Sequence, residues 1–174
     1  MIVEKTTLDR VLLIKPEPLN AGRGDFFEDF RGMFLEIYNK DKLKAVGIDI
    51  DFPEDDISFS KKNVLRGMHG DTRTWKLITC TRGKIFFVAL NGDEQSSSFG
   101  KWQSFDLNPD NKWRVLVPPL YASGYVALED DTMVQYKQSS LYIPGGQFSY
   151  KWNDPRFGID WPIKDPILST RDAG

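Results

Sequence analysis

Residues 84–90, KIFFVAL, form a short continuous run of β-forming apolar side chains, bounded by Gly83 on one side and Asn91-Gly92 on the other. Such a run reads as a strand buried on both faces, which requires covering layers above and below it. Similar runs recur along the chain. WRVLV (113–117) stops at Pro118-Pro119, GYVAL (124–128) stops at the acidic turn Glu129-Asp130-Asp131, and TMVQYK (132–137) follows at once. QFSYKW (147–152) comes after Pro144-Gly145-Gly146, and MFLEI (33–37) supplies a further strand. Strands at this spacing, punctuated by Gly, Pro and Asn, predict an all-β sandwich or barrel. Helical signals are few. NKDKLKAVG (39–47) offers Asn39 as an N-cap and Gly47 as the residue past the C-terminus. No repeat, low-complexity linker or composition shift divides the 174 residues, so one domain spanning 1–174 is expected, a jelly-roll sandwich with a few short helices. Barrels of this kind can enclose a ligand pocket.

Charge and composition narrow the function. A formal net charge of −2 gives no electrostatic case for nucleic acid or an anionic membrane. The N-terminal stretch MIVEKTTLDRVLLIKPEP mixes charge into its apolar run, unlike a signal peptide, and no apolar stretch is long enough to span a bilayer. The single cysteine, Cys80, has no intrachain partner, which makes a reducing cytoplasm the expected compartment. With one His and one Cys, a metal centre would have to rely mainly on carboxylates, and none is expected.

The one histidine, His69, sits in VLRGMHGDTRTWKL (64–77). An unperturbed imidazole titrates near ~6.5 and exchanges protons at cellular pH, although a lone histidine also serves structure. Arg66 and Lys76 bring cations that suit an anionic substrate or a developing oxyanion, and Gly67 and Gly70 permit close approach of backbone or ligand. Strand alternation puts Thr132, Val134 and Tyr136 on one face, so an inward Val134 implies an inward Tyr136. A buried phenol either packs with a hydrogen-bond partner or acts as an acid in a pocket. Asp172, in LSTRDAG, is either a solvated tail residue or a carboxylate that orients a histidine. Arg31 and Glu36 flank an apolar stretch in DFRGMFLE (29–36). The acids Glu54-Asp55-Asp56 read most plainly as a solvated turn.

Taken in order, FRGMFLE, KKNVLRGMH, SSFGKW, LVPPLYASGY, VQYKQSSLYIP, WNDPRFGIDWP and LSTRD resemble the dTDP-4-dehydrorhamnose 3,5-epimerase family, from about Asp29 to Asp172. The resemblance implies a cupin-like jelly roll, a homodimer, and no metal or organic cofactor. It implies epimerisation of a nucleotide-linked 4-keto-6-deoxy sugar used for surface polysaccharide. By position, His69 matches the base, Tyr136 the acid, Asp172 the partner of the histidine, and Lys76 the lysine near the sugar ketone. Arg31, Phe34, Glu36 and Arg66 match nucleotide-sugar contacts, and Tyr142 matches an aromatic of the cleft, with some of these supplied by the neighbouring subunit. Four positions depart from the family pattern. Ser123 stands where a second pocket histidine is usual, and Glu54-Asp55-Asp56 replaces a Q-D-N stretch. Phe87 replaces a strand aspartate, and GDTRTWKL follows His69 in place of an aromatic-Gln opening. Glu54, Asp56 and Ser123 are therefore expected to touch the substrate, and the HGD…TWKL form resembles a branch acting on GDP-linked 4-keto heptoses. Epimerisation at C-3 or C-5 alone, a ketoisomerase moving the carbonyl between C-3 and C-4, and a non-catalytic sugar-nucleotide-binding jelly roll are the other readings of the same residues.

Overall fold

In a computed structural model, which describes residues 1–20, 24–142 and 145–174, the short apolar runs become strands separated by tight turns. In chain order they are β1 (Ile2–Lys5), β2 (Leu12–Lys15), β3 (Phe26–Asp29), β4 (Gly32–Leu35), β5 (Glu54–Ser60), β6 (Leu65–Asp71) and β7 (Lys76–Arg82). They continue as β8 (Ile85–Asn91), β9 (Trp102–Leu107), β10 (Arg114–Val117), β11 (Tyr121–Ala127), β12 (Thr132–Gln138) and β13 (Gln147–Ser149). Helix α1 spans Lys40–Ala45 and the single turn α2 spans Thr170–Ala173. No helix of the described residues is long and apolar enough to cross a membrane.

Two antiparallel sheets face each other in a cupin-like sandwich. One has the order β1-β2-β10-β7-β12-β5 and the other β13-β6-β11-β8-β9, while β3 and β4 form a separate hairpin. Between the sheets lie Ile78, Cys80, Val115 and Val134 from the first and Phe87, Phe105, Tyr121 and Tyr125 from the second. The continuous apolar run of β8 has a simple cause. Phe87 and Ala89 face this inner core, and Val88 and Leu90 face a second layer built with Leu65, Met68, Phe157 and Trp161. A third layer, with Leu43 of α1, Ile14, Leu77 and Leu116, covers the outside of the six-stranded sheet.

Local signals hold at α1, where the Asn39 side chain accepts from the Lys42 amide and Gly47 follows at φ +87°. The acidic run 54–56 is a correction. It begins edge strand β5 rather than a turn, paired with β12 through Asp56↔Tyr136 and Glu54↔Gln138. An edge strand has one open flank, and acidic side chains there deter pairing with another chain. Asp172, which a frayed tail would expose, is buried at 8% exposure.

Candidate active site

His69 and Arg66 are three residues apart, so a regular strand would point them to opposite faces. The pairing of β6 with β11 shows why both reach one cavity. Ser123 opposes His69 and Tyr125 opposes Arg66, which leaves Gly67 and Met68 together opposite Gly124. The extra residue is a β-bulge that resets the side-chain alternation. Gly67 is required there: its φ is +136°, and a Cβ would lie 2.5 Å from the Gly124 Cα. The room that glycine provides goes to the neighbouring strand, and at Gly70 it goes to the ring of Phe148.

Regular alternation supplies the opposite wall. Lys76 precedes the inward Ile78 on β7, Tyr136 and Gln138 continue the inward row of Val134 on β12, and Asp56 and Ser58 lie on the same row of β5. Together with Arg66, His69, Gln147, Ser169, Arg171 and Asp172 they line an open cavity of about 370 Å³. Three of these side chains are permanent or ordinary cations, Arg66, Lys76 and Arg171, against two carboxylates, which suits an anionic guest.

The chain end closes one side. Ile167 docks beside β6, exchanging backbone bonds with Leu65 and Asn63 at 3.0 and 2.8 Å. Ser169 then caps the α2 turn, taking the Asp172 amide at 3.2 Å and donating its hydroxyl to Asp172 Oδ2 at 2.8 Å. This leaves Asp172 Oδ1 2.6 Å from His69 Nε2. A carboxylate accepts, so Nε2 carries the proton and Nδ1 holds the lone pair. Burial holds the His69 pKa below the ordinary histidine value. The Arg171 and Lys76 charges act in the same direction, and Asp172 opposes them. Burial also lowers the Lys76 pKa, with Asp71 working against that shift and Arg171 with it. Burial pushes the Tyr136 phenol well above its usual range, keeping it protonated, while a hydrogen bond from Ser58 works the other way. The cavity therefore holds a neutral imidazole, a neutral phenol and cations, the set needed to move a proton on and off carbon beside a carbonyl. Among the described residues no three His, Cys, Asp or Glu side chains converge as metal ligands would.

Other expected residues lie elsewhere. Ser123 is paired with His69 across the strands but does not line the cavity. Glu54 does not line the cavity, accepting instead from Gln138 Nε2 at 2.7 Å and from the Tyr142 amide at 2.8 Å, and Tyr142 is mostly exposed. Within one copy of the chain, Arg31 and Phe34 sit on a separate hollow of the β3–β4 hairpin, and Arg31 is engaged by Asp29 at 2.5 Å. Glu36 pairs with Lys42 at 2.6 Å. Ser58, Gln138, Gln147, Ser169 and Arg171 line the cavity without having been picked out by motif. Alternation from Asp56 and from Tyr136 marks Ser58 and Gln138, and the Ser-x-x-Asp spacing marks Ser169. For Gln147 and Arg171 no local signal exists.

A family model described as dTDP-4-dehydrorhamnose 3,5-epimerase matches residues 5–174. A Salmonella typhimurium protein named dTDP-4-dehydrorhamnose 3,5-epimerase is 37% identical over 178 residues, covering 99% of this chain and 93% of that one. The crystal structure of the Bacillus anthracis enzyme of that name, with TDP and PPi bound, has a TM-score of 0.89 at 32% identity and covers 98% of this chain and 95% of its own. A Legionella pneumophila dTDP-6-deoxy-D-glucose-3,5-epimerase in complex with dTDP-4-keto-L-rhamnose has a TM-score of 0.89 at 31% identity, covering 99% and 89%.

Proposed function

Because the chain belongs to the dTDP-4-dehydrorhamnose 3,5-epimerase family, an isomerase-type enzyme family, we propose that it inverts C-3 and C-5 of a dTDP-linked 4-keto-6-deoxy sugar by acid–base chemistry between His69 and Tyr136. The observation that carries this reading is the 2.6 Å contact between His69 Nε2 and Asp172 Oδ1 in the same cavity as Tyr136 and Lys76. A 4-keto group acidifies the hydrogens on C-3 and C-5 by accepting the charge as an enolate. His69 Nδ1 takes the proton from one face, and Asp172 stabilises the imidazolium that forms. Lys76 faces the enolate oxygen. Tyr136 breaks its O–H bond to protonate the same carbon from the opposite face as the enolate electrons return to the ketone. Solvent then restores the phenol and removes the proton from His69. Arg66, through the Nη1 left over from Ser60 and the Phe59 carbonyl, and Arg171 hold diphosphate oxygens.

The same reading makes the protein a homodimer in which the β3–β4 hairpin of one copy completes the cavity of the other. Arg31 and Phe34 lie outside the cavity of their own chain, and Phe30 and Phe34 stand 98% and 74% exposed on that hairpin. Exposed aromatics beside a charged hook are poor surface residues and good interface residues.

Incubation in D₂O with the dTDP-linked 4-keto-6-deoxy hexose, and separately with a GDP-linked 4-keto heptose, tests the reading by NMR. The HGD…TWKL form after His69 is the reason for the heptose arm. Deuterium at both C-3 and C-5 with inversion supports the double epimerase, and label at one carbon restricts it. No exchange with either substrate leaves a binding module. His69→Asn retaining near-normal exchange would remove the base assignment.

A further inference from the structure

One buried phenol has no part in that scheme. Tyr125 is 1% exposed, and its ring belongs to the core between the sheets. Its hydroxyl is nevertheless bonded twice, to Ser60 Oγ at 2.8 Å and to Ser58 Oγ at 2.9 Å. Both serines belong to the inward row of β5. Each leads to a cavity residue. Arg66 Nε donates to Ser60 Oγ at 3.1 Å, and Ser58 Oγ lies 3.4 Å from the Tyr136 hydroxyl. The five groups form an unbroken chain from Arg66 through Ser60, Tyr125 and Ser58 to Tyr136.

We propose that Tyr125 is a positioning residue for the epimerisation, its hydroxyl polarising a hydrogen-bonded chain from Arg66 that aims the Tyr136 proton into the cavity. The chain has a preferred direction because a guanidinium only donates. Ser60, accepting from a cation, becomes a poorer acceptor and a stronger donor, so its own proton goes to Tyr125. Tyr125 then donates to Ser58, and Ser58 to the Tyr136 oxygen. With that lone pair occupied, the Tyr136 O–H turns away from the wall and toward the bound sugar. The same donation stabilises the phenolate left when Tyr136 has given its proton to carbon. Nη2 of Arg66 donates to the Phe59 carbonyl at 3.1 Å, so substrate phosphate on the remaining Nη1 is connected to the proton donor without touching it.

The inference rests on Tyr136 as the proton donor, and the test separates the two. Four proteins are compared in D₂O with the dTDP-linked 4-keto-6-deoxy hexose: wild type, Tyr136→Phe, Tyr125→Phe and Ser58→Ala. The quantity read is deuterium incorporation at carbon divided by inverted product, with dTDP affinity measured alongside. Tyr125→Phe should bind dTDP as wild type does and raise this ratio about tenfold, the effect of one hydrogen bond to a charged group. Tyr136→Phe should raise it further. Ser58→Ala breaks the same chain without altering the core ring, and should raise the ratio even where Tyr125→Phe proves too unstable to assay. A Tyr125→Phe or Ser58→Ala protein in which exchange and inversion fall together overturns the positioning role and leaves Tyr136 in place. A wild-type ratio in Tyr136→Phe itself removes the donor and the positioning role with it.

Discussion

His69 is the only histidine of the chain, which makes its imidazole an isolated spectroscopic probe as well as the proposed base. Burial, Arg171 and Lys76 all disfavour the imidazolium, and Asp172 favours it without reversing the net shift. The folded pKa lies below the unfolded value near ~6.5, so acidification protonates the unfolded chain first. Stability from this group is full above the unfolded pKa and falls as pH drops through the window between the two values. The base stays neutral and competent in the same window. A ¹H NMR titration of the single imidazole should therefore give a midpoint below the ordinary histidine value. In Arg171→Gln the midpoint should rise, and the acid limb of kcat/KM should move up with it. A midpoint that falls in this variant would mean that Arg171 does not act on His69 by charge. Asp172→Asn should lower kcat by about 10²–10⁴-fold, because the amide neither stabilises the imidazolium nor fixes the Nε2–H tautomer. Thermal unfolding of the same variant tells a lost catalytic group from a lost fold.

At the scale of elements, legibility in the sequence divided along local and long-range lines. Alternation ties Tyr136 to the face of Val134, which the core confirms as the inner one, and the Asn39 cap and Gly47 mark both ends of α1. In these cases the deciding physics lies within a few residues. The acidic run at 54–56 misled because propensity describes an average environment. Here β12 supplies the partner backbone, and the open flank of β5 favours charge. Strand β6 was hidden by its own glycines, since LRGMHGD has the composition of a loop. Its bulge, which brings Arg66 and His69 to one face, depends on Gly124 of a distant strand. The tail was the hardest segment to place. Asp172 reaches His69 only because residues 150–168 pack Tyr150, Trp152, Phe157, Trp161 and Leu168 on the outer layer of β6 and β11. That arrangement also yields a test. Ser169→Ala removes a cap worth about 1 kcal/mol and the hydroxyl held by Asp172 Oδ2. Stability should fall by about that amount, and kcat should fall by roughly tenfold as the carboxylate loses its second anchor. A kcat unchanged alongside the lost stability would show that the hydrogen bond with His69 orients Asp172 unaided.

For the molecule as a whole, the proposed dimer turns on the hairpin. Its Arg31 is too exposed to act in its own cavity, being held by Asp29 at 2.5 Å beside the hollow lined by Phe27, Met33 and Phe34. Exposed apolar side chains are not confined to it: Ile57 and Phe59 on edge strand β5 are 54% and 69% exposed, on the sheet face opposite Ser58. If β3 and β4 of one copy complete the cavity of its partner, the groups that bind the sugar nucleotide and those that move the proton are carried by different chains. Complementation then becomes possible. Arg31→Ala and His69→Asn should each be nearly inactive as purified dimers. Mixed and allowed to exchange subunits, they form heterodimers in which one site carries both defects and the other carries neither. With random exchange, half of the dimers are mixed and half of their sites are intact, so activity should recover to about a quarter of wild type. Cavities built from a single chain predict no recovery, because every site would keep one defect. Phe34→Asp checks the same geometry from the other side. A charge buried in the hairpin contact should shift sedimentation toward monomer and weaken dTDP binding together. Loss of the dimer with dTDP affinity intact would place the nucleotide entirely within one chain.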